Sequence, residues 1–476
     1  MTPTNDKTKG GLRGELGVIA LVFMVLAFNG PASTIFQYIP TIVSQGNGVG
    51  VPSMYLMVGM TVLVFSVGLN AMARRMTQPG GFYTFIAAGL GRPLGLASGL
   101  IALVSYILLG AGQWPLFAMG VQHLLEGTFH LSTTPSWWMI GLIGWTLAST
   151  MSLFNIDLST KILGTLATAE LLLALVWNVK VYWNGGSEGR VFDVFSSSFG
   201  SGAALAFVFG ILSMTGFESL QVFRAESRDP ERTVPRATYV SVGMIAVLYA
   251  ASSYAYIMSF GPSKVVAAGM QDPTGAMLVS FVRYVGAPAA DLANCLLVTS
   301  LFAAALAIHN IAARYMFTFG RDQVLPGVLG KANVKHGSPL IAAAVTAATI
   351  VLIFGICGFL GLSAVNTFTF FQGMAGYCLI ALWVGTSISV VFFSHRPERL
   401  GKIGLWQGTI APILSAIGLG AILYFTTINF RELFDGSQKL ANIALATLGC
   451  VFITGILLAL WYRRYRSSIY MRIGGD

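Results

Sequence analysis

The strongest constraint on this chain is its series of long apolar runs. Twelve segments are long enough to cross the hydrocarbon core of a bilayer, which is about 30 Å thick. Backbone groups inside a bilayer must be hydrogen-bonded internally, and runs of this length satisfy that demand as helices. We therefore predict an all-α integral membrane protein with 12 transmembrane helices. The predicted spans, numbered 1 to 12, are residues 16–40, 52–73, 94–125, 137–154, 156–183, 203–222, 238–260, 289–319, 339–360, 364–393, 405–428 and 442–465.

The distribution of charge orients these spans. Only 10% of the residues are charged, against about 25% in ordinary soluble proteins. Most of the 28 Lys and Arg residues lie in alternate loops, on the side of the N-terminus. By the positive-inside rule both termini are cytoplasmic, in a multi-pass protein of a bacterial-type plasma membrane. The net charge of +10 is thus a signal of topology, and we expect no nucleic-acid partner.

Few residues are arranged for catalysis or metal binding. The four cysteines lie in apolar runs without a C-x-x-C pair, and they are expected to pack as small core residues. His123, Glu126 and His130 have a spacing that could hold a metal, but they fall where span 3 ends, so a solvated helix end is expected. No Ser-His-Asp or paired-carboxylate arrangement is present. We predict a protein that is not an enzyme, with no metal and no cofactor.

Two spans are interrupted in their middle. Span 1 contains "FNGPAST" (28–34) and span 6 contains "SMTGFE" (213–218); we call these the span-1 break and the span-6 break. Gly accepts positive φ and Pro lacks an N–H, so neither continues a helix well. Broken helices five spans apart are typical of secondary transporters built from inverted repeats, in which the breaks hold the substrate at the membrane midplane. The predicted organisation is an N-terminal cytoplasmic tail (1–15), a core (16–400) of two inverted five-helix repeats (about 16–183 and 203–393), helices 11 and 12 (401–465) and a C-terminal cytoplasmic tail (466–476).

Two further segments are not predicted to cross the membrane. Residues 77–95 are half apolar and half turn-like, as expected for a cytoplasmic re-entrant segment. Residues 272–286 form a short amphipathic pattern that predicts a helix on the external face.

Three motifs carry a resemblance to a known family. "GFESLQVFRAESRDPERTVPRA" (216–237), "PGGFYTFIAAGLGRPLG" (79–95) and the region 310–339 are similar to the helix 6–7, helix 2–3 and helix 8–9 signatures of the amino acid–polyamine–organocation (APC) superfamily. The resemblance covers about residues 16–400. It implies a LeuT-like fold of five plus five inverted helices and a permease that moves amino acids or amines.

The resemblance also implies a substrate site. The family's helix 1 motif Gly-Ser-Gly-Ile-Phe falls on residues 32–36, so the Ser33 hydroxyl and the N–H groups of Ser33 and Thr34 would face a substrate carboxylate. Carbonyls of Gly30, Leu212 and Thr215 would face its ammonium, as the polarity of half-helix ends requires. The expected substrate-binding residues are Asn29, Gly30, Ala32, Ser33, Thr34, Phe209, Leu212, Ser213, Thr215 and Gly216.

Departures from the family pattern keep two substrates open. Both motif glycines are replaced, and the aromatic lid of helix 6 falls on Leu212, with Phe209 and Phe217 nearby. The extra Cβ atoms crowd the approach of a carboxylate to the backbone. We expect an amino acid as substrate; the alternative is a polyamine or another organic amine.

Coupling and gating are expected at ionisable groups within the spans, where charge is expensive. Glu218 matches an acidic position of the family, and a gating or proton-linked role is expected over substrate contact. Glu170 stands where many sodium-independent members carry a lysine. It is interpreted as a protonated structural group bonded to Ser300 or Thr299, as the titrating group of proton coupling, or as a cation ligand. The expected coupling and gating residues are Glu170, Phe217, Glu218, Ser300 and His309.

His309 in span 8 has two readings, a neutral packing histidine or a pH-sensitive group. The sequence thus predicts a secondary active transporter working by alternating access, proton-coupled or an exchanger, as a monomer or homodimer. Its partners are a small-molecule substrate, a proton and the lipid bilayer.

Overall fold

A computed structural model describes residues 16–76, 81–153, 160–218, 220, 227–332, 339–396 and 403–475. Most of these residues are helical, as the apolar runs predict. The helices are α1 (Val18–Asn29), α2 (Pro31–Ser33), α3 (Ile39–Gln45), α4 (Val51–Ala73), α5 (Phe82–Leu90), α6 (Arg92–His123), α7 (Trp137–Leu153), α8 (Thr160–Asn184), α9 (Ala203–Leu212), α10 (Pro230–Phe260), α11 (Val265–Gln271), α12 (Pro273–Tyr284), α13 (Ala287–Arg321), α14 (Leu340–Phe359), α15 (Ala364–Ser394), α16 (Ala411–Ile428), α17 (Gln438–Tyr465) and α18 (Ser467–Arg472).

The helices confirm a multi-pass membrane protein. Within the described residues, nine helices are long and apolar enough to span a bilayer, and the pair Val18–Leu26 and Pro31–Gln45, bent by 42°, is a tenth candidate. The predicted spans 4 and 6 correspond to α7, which has 17 residues, and to α9, which has 10. The count of twelve spans and the inverted repeat remain predictions.

The span-1 break follows the local chemistry of its sequence. Helix α1 ends at Asn29, because Gly30 adopts a left-handed conformation with φ of 63° and Pro31 has no N–H to donate. The N–H of Gly30 still closes α1 by donating to the carbonyl of Leu26. A single π-helical turn, Thr34–Tyr38, then leads into α3. The unwound segment lies within protein, because residues 30–40 are all buried.

The span-6 break begins where α9 ends at Leu212. Turns follow, and Gly216 has a φ of 110°. A Cβ at Gly216 would overlap the ring of Phe28, so glycine is needed here both for its backbone and for the close approach of the two breaks. Residues 219 and 221–226, which include part of the family-like motif, lie outside the described residues.

The non-spanning segments form short helices. Helix α5 covers the apolar part of the predicted re-entrant segment, whose residues 77–80 lie outside the described residues. Helix α12 is capped by Asp272, whose carboxylate accepts the N–H of Gly275 at 2.9 Å. Its Phe281 is fully buried and stacks on Trp177 of α8 at 5.2 Å. The amphipathic pattern therefore packs one face of α12 onto the bundle.

The C-terminal part of the chain, with helices 11 and 12, also stabilises the start of α9. Glu432, in the loop between α16 and α17, accepts the N–H groups of Gly202 and Ala204, each at 3.0 Å. It thereby caps the start of α9, where Gly202 has a positive φ and no side chain to do so. After α17 the short helix α18 packs back on the bundle, with Ile469 and Ile473 buried.

Candidate functional site

The two breaks are joined by the amide of Asn29. Its Nδ2 donates to the carbonyl of Ser213 at 2.6 Å and to that of Thr215 at 3.0 Å. Its Oδ1 accepts the hydroxyl proton of Tyr249, a fully buried residue of α10. The Tyr249 hydroxyl is also hydrogen-bonded to Thr34. One amide and one phenol thus connect α10, the span-1 break and the span-6 break.

A carboxylate from span 5 occupies the span-1 break. Glu170 Oε2 accepts the N–H of Ala32 at 3.0 Å, and the carboxylate is also hydrogen-bonded to Ser300 of α13. Glu170 is 6% exposed. Of the two partners expected on span 8, the structure selects Ser300, because Thr299 is exposed and donates to backbone carbonyls of its own helix. The bond to Ser300 is one of the two alternatives that the sequence left open.

Two further N–H groups of the span-1 break are bonded within the break. The carbonyl of Gly30 accepts the N–H groups of Ser33 at 3.0 Å and Thr34 at 3.4 Å. It also accepts the hydroxyl of Ser33 at 2.6 Å. The N–H groups expected to face a substrate carboxylate are therefore engaged by Gly30.

The span-6 break is held by its own acidic residue. Glu218 Oε2 accepts the N–H of Gly216 at 2.9 Å. The N–H and the hydroxyl of Thr215 both donate to the carbonyl of Leu212, at 3.1 and 2.8 Å. The three carbonyls expected to face an ammonium, those of Gly30, Leu212 and Thr215, thus each accept at least one internal hydrogen bond.

A cavity of about 50 Å³ lies beside both breaks. This is room for a few water molecules, so a substrate with several carbon atoms must widen it. None of the described lining residues is Lys, Arg or His, and Glu218 is the acidic residue among them. The cavity is lined by Phe28, Asn29, Ser33, Thr34, Tyr38, Tyr106, Leu109, Gln113, Leu212, Thr215, Glu218, Ala304, Ile308, Gln372 and Leu379.

The polar groups on the wall near the breaks present acceptors to this cavity. Ser33 and Thr215 donate their hydroxyl protons to backbone carbonyls. Both N–H bonds of the Asn29 amide go to span 6. Thr34 can only donate to Tyr249, since the single Tyr249 proton goes to Asn29. What these groups leave for a ligand is oxygen lone pairs, next to the carboxylate of Glu218.

A second polar cluster on the wall has the same character. Tyr38 donates to Gln372 Oε1 at 3.2 Å, and Gln372 Nε2 donates to the carbonyl of Leu109 at 3.4 Å and to Gln113 Oε1 at 3.2 Å. Gln113 Nε2 donates to the carbonyl of Leu301 at 3.2 Å. The donors of Tyr38 and Gln372 are all used, whereas Gln113 Nε2 has one bond for its two N–H groups. The free sites of this cluster are therefore lone pairs and one N–H of Gln113. The cavity is therefore acceptor-rich at both of its polar clusters.

Several predicted site residues lie away from the cavity. Phe209 packs edge-on against Tyr38 at 5.3 Å. Phe217 packs against Trp383 at 5.5 Å. His309 is hydrogen-bonded to the backbone of Ala343 on α14. The predicted residues that do not line the cavity are Gly30, Ala32, Glu170, Phe209, Ser213, Gly216, Phe217, Ser300 and His309.

The predicted metal-like spacing at the end of span 3 resolves into separate contacts. His123 Nε2 lies 3.2 Å from Asp272 Oδ1, and Glu126 accepts the hydroxyl of Thr134 at 2.8 Å. Within the described residues, no group of three or more His, Cys, Asp and Glu side chains is placed to hold a metal ion.

Four polar residues at the site were not among those predicted from the sequence: Tyr38, Gln113, Tyr249 and Gln372. Each is a polar side chain within a predicted or observed span, and buried polar groups in a membrane are expensive enough to suggest function. That signal was present in the sequence. Which of them meet around one cavity could not be read from it, because they lie on different helices.

Comparisons with known proteins agree with this architecture. The family model described as amino acid permease matches residues 22–468. The low-affinity putrescine importer PlaP of Escherichia coli (strain K12) is 23% identical over 472 residues, covering 95% of each chain. The branched-chain amino acid permease BcaP of Lactococcus lactis is 23% identical, over 87% of this chain and 90% of that protein. The lysine-specific permease LysP of the same species is 23% identical, over 74% of this chain and 70% of that protein.

The match to the family model covers most of the chain and includes both breaks. Together with the broken apolar helices and the cavity between them, it confirms the resemblance first seen in three short motifs. The chain belongs to the amino acid permease family, within the amino acid–polyamine–organocation superfamily of membrane transporters.

Proposed function

We propose that this protein is a secondary active transporter of small organic amines, working by alternating access in the plasma membrane. The observation that carries the proposal is the polarity of the cavity. Its lining offers a carboxylate and a set of oxygen lone pairs, while most of the nearby N–H and O–H donors are bonded elsewhere. An ammonium group has three donors and no acceptor, so it complements such a wall.

A substrate carboxylate has the opposite requirement. It needs donors or a cation to replace its lost hydration, since an unpaired buried charge is costly. The N–H of Ala32 is bonded to Glu170, those of Ser33 and Thr34 to Gly30, and that of Gly216 to Glu218. To use any of these four N–H groups an α-amino acid would have to displace one of these bonds, whereas an amine would not.

Two acceptor clusters favour an amine with donors at both ends. The first comprises Glu218, Thr215 and Asn29, and the second comprises Tyr38, Gln113 and Gln372. A diamine could place one ammonium at each cluster. Putrescine is a suitable probe, because the name of the relative PlaP states that it imports this diamine.

Glu170 is the proposed site of proton coupling. It is buried between spans 1, 5 and 8, and its partners are a backbone N–H and a hydroxyl, both of them neutral. Protonation would weaken its bond to Ala32, since a neutral carboxylic acid is the poorer acceptor. Uptake and loss of a proton would thereby change how firmly the span-1 break is held to span 5.

The test uses three compounds that differ by one group. Putrescine, ornithine and n-butylamine share a four-carbon amine, ornithine adding an α-carboxylate and butylamine lacking the second nitrogen. We expect purified protein to bind putrescine about tenfold or more tightly than either compound, as one charge-assisted hydrogen bond contributes about 1.5–3 kcal/mol. Binding is measured by thermal shift and transport by uptake of labelled putrescine into proteoliposomes.

Amino-acid transport is the second candidate function. The family description and the names of the lysine-specific and branched-chain permeases favour it. If ornithine binds more tightly than putrescine, the carboxylate is recognised and this candidate replaces the first. Saturable uptake with counter-exchange in the same vesicles separates either transporter from a channel.

A further inference from the structure

Tyr249 touches the site without lining the cavity. It is fully buried on α10, and its ring centroid lies 5.6 Å from that of Tyr55. Its hydroxyl stands between two lining residues, donating to Asn29 Oδ1 and accepting from Thr34.

The direction of these bonds determines what the cavity wall can offer. A phenol has a single proton, and here it goes to Asn29 Oδ1, which cannot donate in return. Thr34 must then give its own proton to Tyr249, so its lone pairs are what remain for a ligand. The same bond to Oδ1 holds the Asn29 amide with both N–H bonds on the carbonyls of Ser213 and Thr215.

We propose that Tyr249 is a positioning residue that sets substrate specificity by directing the donors of Thr34 and Asn29 away from the cavity. The inference rests on the proposed function and deepens it. Tyr249 keeps this part of the wall free of donors, and the wall therefore rejects a carboxylate. Without the phenol oxygen, the Thr34 proton and the Asn29 amide are free to turn toward a bound anion.

The test is the selectivity of Tyr249→Phe, which keeps the ring and removes the oxygen. We expect the preference for putrescine over ornithine to fall by about tenfold, chiefly because ornithine binds better, since one recovered donor to a charged group is worth about that factor. Both dissociation constants are measured on the purified full-length protein. A merely structural role would weaken both ligands alike and leave the ratio unchanged.

Tyr55→Phe is the matched control. Tyr55 is a neighbouring, fully buried tyrosine whose hydroxyl pairs with Ser213 Oγ at 3.2 Å, and it does not line the cavity. Its loss removes an equal atom from the same packing, and the ratio should stay at the wild-type value. The double variant Tyr249→Phe with Thr34→Val has no hydroxyl left to turn, and the ratio should return toward that of the wild type.

A folded Tyr249→Phe protein with an unchanged ratio overturns the inference. If that variant does not fold, Thr34→Val is tested alone. A hydroxyl that offers only lone pairs makes no hydrogen bond to the carboxylate of ornithine, so its removal should not weaken ornithine binding more than putrescine binding. A loss of ornithine binding that exceeds the loss of putrescine binding would show that Thr34 donates in the native protein, and the inference fails. These outcomes concern ratios between variants, whereas the proposed function stands or falls on the ranking of ligands by the wild type.

Discussion

The breaks in span 1 and span 6 meet the same physical demand with carboxylates drawn from different places. Unwinding a membrane helix frees backbone N–H groups, each of which costs about 1–3 kcal/mol if it is buried without a partner. At the span-1 break, Ala32 is satisfied by Glu170, which lies 138 residues away on span 5. At the span-6 break, Gly216 is satisfied by Glu218, two residues along the chain.

The difference lies in what else each carboxylate contacts. Glu218 lines the cavity, whereas Glu170 lies outside it and bridges to Ser300. A carboxylate at the cavity wall can meet a substrate ammonium, and one between helices can change the strength of a helix contact. We propose that similar local chemistry serves substrate binding in one break and coupling in the other, and four substitutions test this division.

The largest effect is expected for Glu218→Gln. The substitution keeps an oxygen for the N–H of Gly216 but removes the charge beside the cavity. Putrescine binding should weaken by about 10- to 100-fold, the worth of one charge-assisted hydrogen bond. The dissociation constant of the purified protein is the measurement, with Glu170→Gln as the matched control that should stay within about threefold of wild type.

Equal losses of putrescine affinity in Glu218→Gln and Glu170→Gln would contradict this division, because both carboxylates would then contribute equally to substrate binding. Slower turnover with unchanged binding in Glu218→Gln would instead support the gating role expected from the sequence.

Glu170→Gln should separate binding from accumulation. Glutamine still accepts the N–H of Ala32, so the fold and substrate exchange are retained, but it cannot take up a proton. Uptake driven by a pH gradient should fall to the level of passive exchange, and the pH dependence of transport should flatten. Proteoliposomes with and without an imposed pH gradient provide the measurement.

Glu170→Leu sharpens the same point by leaving the N–H of Ala32 without this acceptor. It should lower the free energy of unfolding by about 1–3 kcal/mol, which Glu170→Gln should not. If Glu170→Gln accumulates substrate like the wild type, the role of Glu170 is structural only. If the wild type requires sodium for transport and this variant does not, Glu170 is a cation ligand.

The smallest effect is expected for His309→Phe. His309 bonds to the backbone of Ala343 and lines neither the cavity nor a break. Losing that bond should cost about 1 kcal/mol of stability, while the pH profile of uptake keeps its midpoint. If the midpoint shifts in this variant, His309 takes part in proton coupling, and Glu170 is not the only coupling group.

Local sequence determined where the membrane helices break. Gly30 and Pro31 cannot continue α1, because one takes a left-handed conformation and the other lacks an N–H. Gly216 does the same after α9. The apolar runs likewise determined an all-helical multi-pass protein, and three motifs sufficed to suggest its family. These features depend on residues close together in the chain.

The polarity of the site was decided only by the tertiary structure. Asn29, Thr34 and Thr215 are as able to donate as to accept, and their sequence neighbours do not say which they do. The answer depends on Tyr249, 220 residues from Asn29, and on Glu170, which binds the N–H of Ala32 beside the two N–H groups that were expected to face a carboxylate. A hydrogen bond has a direction that is set by both partners, and here the partners meet only when spans 1, 5, 6 and 7 pack together.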